Sequence, residues 1–308
     1  VSLDGVTDRV RIEKTIASLR RLLEKEPGLY AVHFNLGILY QMLGDHRQAM
    51  SEYQLALRQN PDLPVAHLNL GILYLQDNDL TRAERELLAM TRLSPDYAGA
   101  WYLLGVTRSK MKSFDQAERP LQKAIELLPP FLDPYVELGL VQARRGNRNE
   151  ALRVFRKVQG NPNASARILR KLAWNFLQVD VPKEAIACYN RIANQKKATY
   201  EDWNNLGVAY LRDGQLRPAF AALTQARRLA PDRPEAVNNL GVLHLKEGEY
   251  EQASVAFEQA SVLAHGYLTP LLNQAVLYGE YMEDEDRAVQ FLKKYLALGG
   301  TVQTEMLK

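Results

Sequence analysis

The fold is decided by YAVHFNLGILYQMLGDHRQAMSEYQLALRQNPDL, residues 30–63, which is followed at once by PVAHLNLGILYLQDNDLTRAERELLAMTRLSPDY, residues 64–97. Both stretches have 34 residues, and both carry Asn-Leu-Gly-Ile-Leu-Tyr at the same offset. The Leu-Gly dipeptide keeps this register along the chain, at Leu36-Gly37, Leu70-Gly71, Leu104-Gly105, Leu138-Gly139, Leu206-Gly207 and Leu240-Gly241. A fixed period of this length indicates tandem copies of one supersecondary unit that stack on each other.

A second fixed position appears when each unit is numbered so that this Leu is position seven. Position twenty is Ala in seven successive units, at Ala49, Ala83, Ala117, Ala151, Ala185, Ala219 and Ala253. In the fifth unit Leu172-Ala173 takes the place of Leu-Gly, so the small residue at position eight is kept. An eighth, weaker unit begins at about Leu268, and its Ala288 is displaced by one residue, which predicts a one-residue insertion in its turn.

Each unit reads as two helices joined by a turn. The apolar residues fall at helical spacing in two runs, and glycines separate the runs at Gly44, Gly146, Gly214 and Gly248. A glycine there suits the left-handed residue that follows a helix end. The small residues at positions eight and twenty allow the two helices to approach closely. Pro120 lies inside a predicted second helix and is expected to kink or shift it.

The combined pattern resembles the tetratricopeptide repeat, with an aromatic residue at position four, Leu-Gly at seven and eight, Tyr at eleven, Ala at twenty and a closing Pro. Position four is aromatic at Trp101, Tyr135 and Trp203, and the closing prolines are Pro61, Pro95, Pro129 and Pro231. The resemblance covers residues 30 to about 300. It implies an all-α fold, a right-handed superhelical α-solenoid, in which the first helix (A) of each repeat lines a concave face and the second (B) lies outside.

We expect residues 1–308 to form a single solenoid domain. Its expected parts are a capping helix or half repeat (1–29), seven repeats (30–63, 64–97, 98–131, 132–165, 166–199, 200–233 and 234–267), a degenerate eighth repeat (268–300) and the start of a C-terminal helix (301–308). Because the sequence begins with Val1 and its last helix looks cut short, we expect the natural chain to extend further. A signal or anchor before Val1 is left open.

The composition excludes several classes of function. The formal net charge of +3 on 308 residues gives no global basic field for nucleic acid. The sequence has no apolar run of membrane-spanning length. A single cysteine, Cys188, excludes an internal disulfide and a thiolate zinc site. No phosphate-binding glycine loop, metal-spaced histidine set or serine elbow occurs, so we expect no enzymatic activity, no cofactor and no metal.

An asparagine row is the first candidate site. Position six, which faces the groove in the family, is Asn in five of eight repeats, at Asn35, Asn69, Asn205, Asn239 and Asn273. An Asn side chain offers two donors and an acceptor, so a row of them can bind the main chain of an extended peptide independently of its side chains. This resembles the asparagine ladder of peptide-binding tetratricopeptide superhelices. The alternative is that Asn is simply a common residue at this position.

Two further candidate zones follow from the other groove positions. An apolar floor is predicted toward the N-terminus, where it would suit an apolar or amphipathic segment; its residues are Phe34, Ile38, Leu68, Ile72, Leu75, Tyr102, Val106, Val136 and Leu140. A basic patch is predicted in the middle, at Lys110, Arg144, Arg167, Arg170, Lys171 and Trp174, and would attract a carboxylate. Nearby acids could neutralise that patch, namely Asp133, Glu137, Glu201 and Glu235.

Three functions stay open on the sequence. The favoured one is a non-enzymatic scaffold or adaptor whose groove holds an extended or helical segment of a partner protein. The second is a substrate-targeting module of a larger enzyme, such as a glycosyltransferase. The third is a helical-repeat nucleic-acid binder, which the absence of an aromatic stacking row disfavours. Similar arrays are abundant in bacterial envelope and assembly complexes, so a bacterial cytoplasmic or periplasmic scaffold, in an assembly complex that could be membrane-associated, is the expectation.

Overall fold

The computed structural model describes residues 3–195 and 198–301, and the regular structure in them is helical throughout. The helices are α1 (Leu3–Lys25), α2 (Tyr30–Met42), α3 (His46–Gln59), α4 (Pro64–Gln76), α5 (Leu80–Leu93), α6 (Ala98–Lys110), α7 (Phe114–Leu127), α8 (Leu132–Arg144), α9 (Arg148–Gln159), α10 (Ala166–Gln178), α11 (Pro182–Asn194), α12 (Tyr200–Arg212), α13 (Leu216–Leu229), α14 (Pro234–Glu247), α15 (Tyr250–Leu263), α16 (Thr269–Val276) and α17 (Glu285–Ala297). From α2 onward, even numbers are A helices and odd numbers are B helices. Of the helix expected over 301–308, all but Thr301 lies outside the described residues.

The chain forms two compact units, with the boundary between Val158 and Gln159. Within each unit the A helices pack on their own B helices, α8 on α9 through Gly139 and Phe155, and the B helices pack on the A helix of the next repeat in that unit. In the first unit α4 also contacts α6 and α6 contacts α8; in the second, α12 contacts α14 and α14 contacts α16. The B helices of the described chain make no comparable contacts with one another. The A helices therefore line the inner, concave side of each unit.

The turns between A and B helices repeat one backbone conformation. A residue with positive φ closes each A helix at a spacing of 34, at Gly44, Asn78, Lys112, Gly146, Asp180, Gly214 and Gly248. The next such residue is Glu283, one position later than the period requires. The extra residue lies in a π-helical turn, Leu277–Tyr281, which continues α16. The predicted insertion therefore exists, but its predicted location was wrong, because the helix absorbs it before the turn begins.

The Leu-Gly signature is explained by close packing within each hairpin. A Cβ on Gly37 would come within 2.5 Å of the Tyr53 ring, and a Cβ on Gly241 within 2.6 Å of the Phe257 ring. Both aromatic residues lie at position 24 of their repeats, on the B helix, and are fully buried. The prediction that small residues at position eight let the helices approach is confirmed, and position 24 supplies the large side chain that fills the space.

Position four holds the closing loop of the preceding repeat. The Trp101 indole N–H donates to the Pro95 carbonyl over 2.7 Å, and His67 Nε2 lies 2.9 Å from the Pro61 carbonyl oxygen. His67 Nδ1 lies 2.8 Å from a Glu86 carboxylate oxygen. Burial alone would lower the pKa of His67, but its hydrogen bonds to Glu86 and Pro61 outweigh this and raise it. The histidine thus has a structural role.

Pro120 does not interrupt α7, which runs without a break from Phe114 to Leu127. A proline cannot donate to the carbonyl four residues earlier, which here belongs to Gln116. The Arg108 guanidinium donates to that carbonyl over 3.2 Å and binds Glu84 over 2.7 Å. A side chain from the A helix therefore replaces the missing backbone hydrogen bond.

The two ends of the described chain differ in how they are covered. α1 packs on the first repeat through Ile16, which is 7% exposed, whereas Leu22 points away and is exposed. At the other end α17 has no buried residue, and Val289 and Leu296 lie exposed on it. α1 therefore covers the first repeat with only part of its apolar surface.

Candidate functional site

The position-six asparagines of the second unit belong to a chain of hydrogen-bonded amides. Asn273 Nδ2 donates to Asn238 Oδ1 over 2.8 Å, and Asn239 Nδ2 donates to Asn204 Oδ1 over 2.9 Å. Weaker contacts of 3.4 and 3.5 Å join Asn238 to Asn239 and Asn204 to Asn205. Five amides on α12, α14 and α16 therefore form one continuous chain, which we call the asparagine chain.

Asn204 and Asn238, at position five, were not predicted as site residues. They lie next to the position-six asparagines in the sequence and form an Asn-Asn pair in repeats six and seven. Asn238 is only 2% exposed, and Asn204 is half-buried. The doubled asparagine was the available sequence signal, but the family pattern assigns position five to the groove and does not indicate contact between neighbouring repeats.

Two position-six asparagines, Asn69 and the chain member Asn205, bind a buried tyrosine of the preceding repeat. Asn69 Nδ2 donates to the Tyr53 hydroxyl over 3.1 Å, and Asn205 is hydrogen-bonded to Tyr189. Burial raises the pKa of both hydroxyls to about 12, although these asparagines act in the opposite direction. Asn69 and Asn205 therefore satisfy polar atoms in the core. Asn35 is exposed on α2, and position five of the first four repeats holds no asparagine, so the described part of the first unit shows no chain of this kind.

The residues of the predicted apolar floor all belong to the first unit. Val136 is only 4% exposed, so it contributes packing and almost no surface; the other eight are part-buried. Phe34 lies with its ring centroid 5.7 Å from that of Tyr53, and Tyr102 packs edge-on against Phe131 at 5.1 Å. These side chains thus divide their surface between the core and the A-helix face.

The predicted basic patch is distributed over both units, and its members differ in environment. Lys110 and Arg144 are exposed at the ends of α6 and α8 in the first unit. In the second unit Arg167 and Lys171 are exposed on α10, and the Trp174 side chain beside them is 56% exposed. A large aromatic residue with this exposure on the inner face is a candidate anchor for a partner.

Arg170, another member of the predicted patch, forms an ion pair with a buried acid. Its guanidinium binds both carboxylate oxygens of Asp202 at 2.7 Å, and Asp202 is 2% exposed. Of the four acids that the sequence suggested as neutralising, Glu201 and Glu235 are bound by Arg233. Arg170 is therefore held in the packing between α10 and α12 by an acid that the sequence did not single out.

One group among the described residues has the composition of a metal site. The possible ligand atoms of His244, Glu247 and Glu249 lie within 4.8 Å of one another. His244 Nδ1 is 2.7 Å from a Glu249 carboxylate oxygen, a direct hydrogen bond that accounts for the arrangement without an ion. In the described part of the chain, no helix combines the length and apolar character needed to cross a membrane.

The repeated hairpins, the shared turn conformation and the A-helix face define an α-solenoid built of helix–turn–helix repeats. Family models described as "Tetratricopeptide repeat" match residues 42–92, 210–266 and 68–134. The chain is a tetratricopeptide repeat protein. Comparison with curated proteins found no match.

Several solved structures share this fold. Yeast Tom70 is 16% identical with a TM-score of 0.56, over 96% of this chain and 61% of that one. A tetratricopeptide repeat protein from Parabacteroides merdae is 17% identical with a TM-score of 0.50, over 92% and 95%. A chain of the APC/C hetero-tetramer Cut9-Hcn1 is 19% identical with a TM-score of 0.53, over 94% and 53%. At these identities the similarity shows the fold alone.

Proposed function

We propose that this protein is a non-enzymatic interaction scaffold that binds an extended or helical segment of a partner protein along its A helices. The family supports this, because tetratricopeptide repeats are in general interaction modules. The observation that carries the proposal is the asparagine chain, which arranges polar amides side by side along the inner face of the second unit.

The amides of the asparagine chain have binding capacity beyond the bonds already made. Each Asn side chain has two N–H donors and an oxygen with two lone pairs, and its place in the chain uses one donor and one lone pair at most. The remaining groups of Asn239 and Asn273 can pair with the N–H and C=O of a polypeptide main chain. Asn205 has less capacity to offer, because it also binds Tyr189.

The other two zones would provide selectivity. In the first unit, Leu68 and Ile72 on α4 keep part of their apolar surface accessible, which suits apolar side chains of a partner. In the second unit, Trp174 offers an aromatic anchor beside the exposed cation Lys171. We propose that main-chain binding in the second unit supplies affinity that depends little on sequence, and that Trp174 and Lys171 of the same unit select among partners; the apolar surface of the first unit is proposed as a separate zone of its own.

The proposal is tested with short linear peptides selected by display on the full chain. Binding of a selected peptide is measured by calorimetry for the wild type and for Asn239→Ala combined with Asn273→Ala. Loss of two to four hydrogen bonds should weaken binding by about tenfold or more. Asn194→Ala, at an exposed position on the B helix α11, is the matched control and should bind as the wild type does. Equal affinity in the double variant, or selected peptides that bind only the B helices, would contradict the proposal.

A further inference from the structure

The asparagine chain has a direction. Asn273 Nδ2 points to an acceptor in repeat seven, and Asn239 Nδ2 points to an acceptor in repeat six. In both cases the nitrogen of a position-six amide faces the preceding repeat, and the acceptor is a position-five asparagine. The asparagine chain therefore gives the side-chain amides of Asn239 and Asn273, which we call the groove amides, the same orientation.

We infer that Asn204 and Asn238 are positioning residues that fix this orientation, so that the second unit reads the main-chain direction of a bound segment. The inference rests on the proposed function, since it concerns the same face. Asn238 is 2% exposed and so presents almost no surface to a partner. Its effect on binding must pass through Asn239 and Asn273, the two residues that it contacts.

A fixed amide distinguishes the two directions of a strand, whereas a freely rotating amide does not. Turning the Asn273 side chain by half a turn about its last bond would place its oxygen against Asn238 Oδ1, and two acceptors cannot share a hydrogen bond. The same conflict would arise between Asn239 and Asn204. Each position-five asparagine thus opposes the flipped state of the groove amide in the next repeat as long as its own amide keeps its orientation, so reversal requires the linked amides to turn together.

The orientation predicts which way the segment runs. In an extended strand, the N–H and C=O of one residue point to the same side, with the N–H nearer the strand's N-terminus. A groove amide pairs with both when its nitrogen meets the C=O and its oxygen meets the N–H. Because the nitrogens face the preceding repeat, the strand's C=O groups lie on that side. The segment therefore runs from repeat eight toward repeat six, opposite to the order of the repeats.

The test compares a peptide with its retro-inverso isomer on the full chain. The probe is a display-selected L-peptide, and its isomer has D-residues in reversed order, which keeps the side-chain arrangement but reverses every main-chain amide. For the wild type we expect the isomer to bind about tenfold more weakly or worse. In Asn204→Ala combined with Asn238→Ala, we expect this ratio of affinities to fall toward one.

The ratio separates positioning from a general structural effect. A variant that only loosens the unit weakens both peptides equally and leaves the ratio unchanged, which would overturn the inference. If the double variant loses helical signal, Asn204→Ala alone, at the less buried position, provides the same comparison. Asn190→Ala on α11 removes a hydrogen bond of similar kind, to Tyr210, and should keep the wild-type ratio.

The direction itself is read from a spin label on the peptide's N-terminus. We expect it to broaden backbone NMR signals of α16 more than those of α12, and the reverse would overturn the assigned direction. Failure of the proposed function gives a different result, because the peptide would then have the same affinity for the double variant Asn239→Ala/Asn273→Ala as for the wild type. A peptide that needs those two amides but shows no direction effect leaves the proposed function intact and refutes only this inference.

Discussion

Replacement of Gly241 by Ala should destabilise the second unit, although the same change in a helix usually stabilises. Alanine has a helix propensity about 1 kcal/mol better than glycine. A Cβ on Gly241, however, would lie 2.6 and 2.7 Å from two carbons of the Phe257 ring. Phe257 is fully buried and packs with Ala253 and Leu277, so the ring has little room to move. Overpacking of this kind costs about 1–3 kcal/mol.

The two effects together predict a net loss of about 0–2 kcal/mol for Gly241→Ala. The sign should reverse when the ring is removed. In a Phe257→Ala background the added methyl group enters open space, and Gly241→Ala should then stabilise by about 1 kcal/mol. The expected coupling between the two positions is therefore about 1–3 kcal/mol, within the range measured for residues in contact.

Urea denaturation followed by circular dichroism measures the free energy of unfolding of the four proteins in this cycle. Because repeat arrays can unfold in steps, amide exchange in α14 and α15 should report the local change alongside it. Gly279→Ala is the control, since a Cβ there would meet only Ala288 at an ordinary 3.4 Å. If Gly241→Ala raises stability in the wild-type background as much as it does without the ring, the packing explanation of the Leu-Gly signature is refuted.

Three further predictions follow from buried polar groups. Burial alone would lower the pKa of His67, but its hydrogen bonds to Glu86 and Pro61 raise that pKa above its ordinary value. Burial alone would raise the pKa of Glu86, but its hydrogen bond to His67 lowers that pKa below its ordinary value. The free energy that His67 contributes to folding is therefore fully present below its ordinary pKa of about 6.5 and is lost as the pH rises through the raised pKa. The contribution of Glu86 is fully present above its ordinary pKa of 4.5 and is lost as the pH falls through the lowered pKa. The stability difference between wild type and Glu86→Gln, measured by urea titration, should peak between these limits, and a pH-independent difference would contradict the assignment. Arg170→Ala should cost about 1.5–3 kcal/mol in the same assay, because it leaves the buried Asp202 without its bidentate donor, and a loss below 0.5 kcal/mol would contradict that role. Burial raises the pKa of Cys188 to about 12, so iodoacetamide should modify it only after unfolding; rapid modification of the folded protein would show that the thiol is accessible.

Periodicity predicts the packing of this protein well because packing is local and repeated. The position of the small residue at Gly37 or Gly241 follows from the sequence, since every hairpin must solve the same steric problem. The turn residues also follow the period, although Asn78 and Lys112 occupy the left-handed conformation without being glycine. Composition alone would have missed such turns.

Contacts between repeats were harder to predict, because they depend on pairs of positions. A position-six asparagine binds a tyrosine when the preceding repeat carries Tyr53 or Tyr189 at position 24, and it binds a position-five asparagine when that repeat carries Asn204 or Asn238. Comparing the residues at one repeat position cannot reveal this dependence on the residue in the preceding repeat. The partner of Arg170 was missed for the same reason, because Asp202 is not at a groove position of the family, whereas its neighbour Glu201 is.

The π-helical turn at Leu277–Tyr281 has a consequence for modular engineering of the array. Repeats of constant length can be exchanged as cassettes, because every junction falls at an equivalent angle around the helix. One uncompensated residue would rotate all following side chains by about 100°. The π-helical turn takes up that rotation locally. As a result, each repeat position after the turn lies one residue later than the 34-residue period predicts. A cassette joined after repeat eight must therefore take its register from Glu283, not from the 34-residue count used for the rest of the chain.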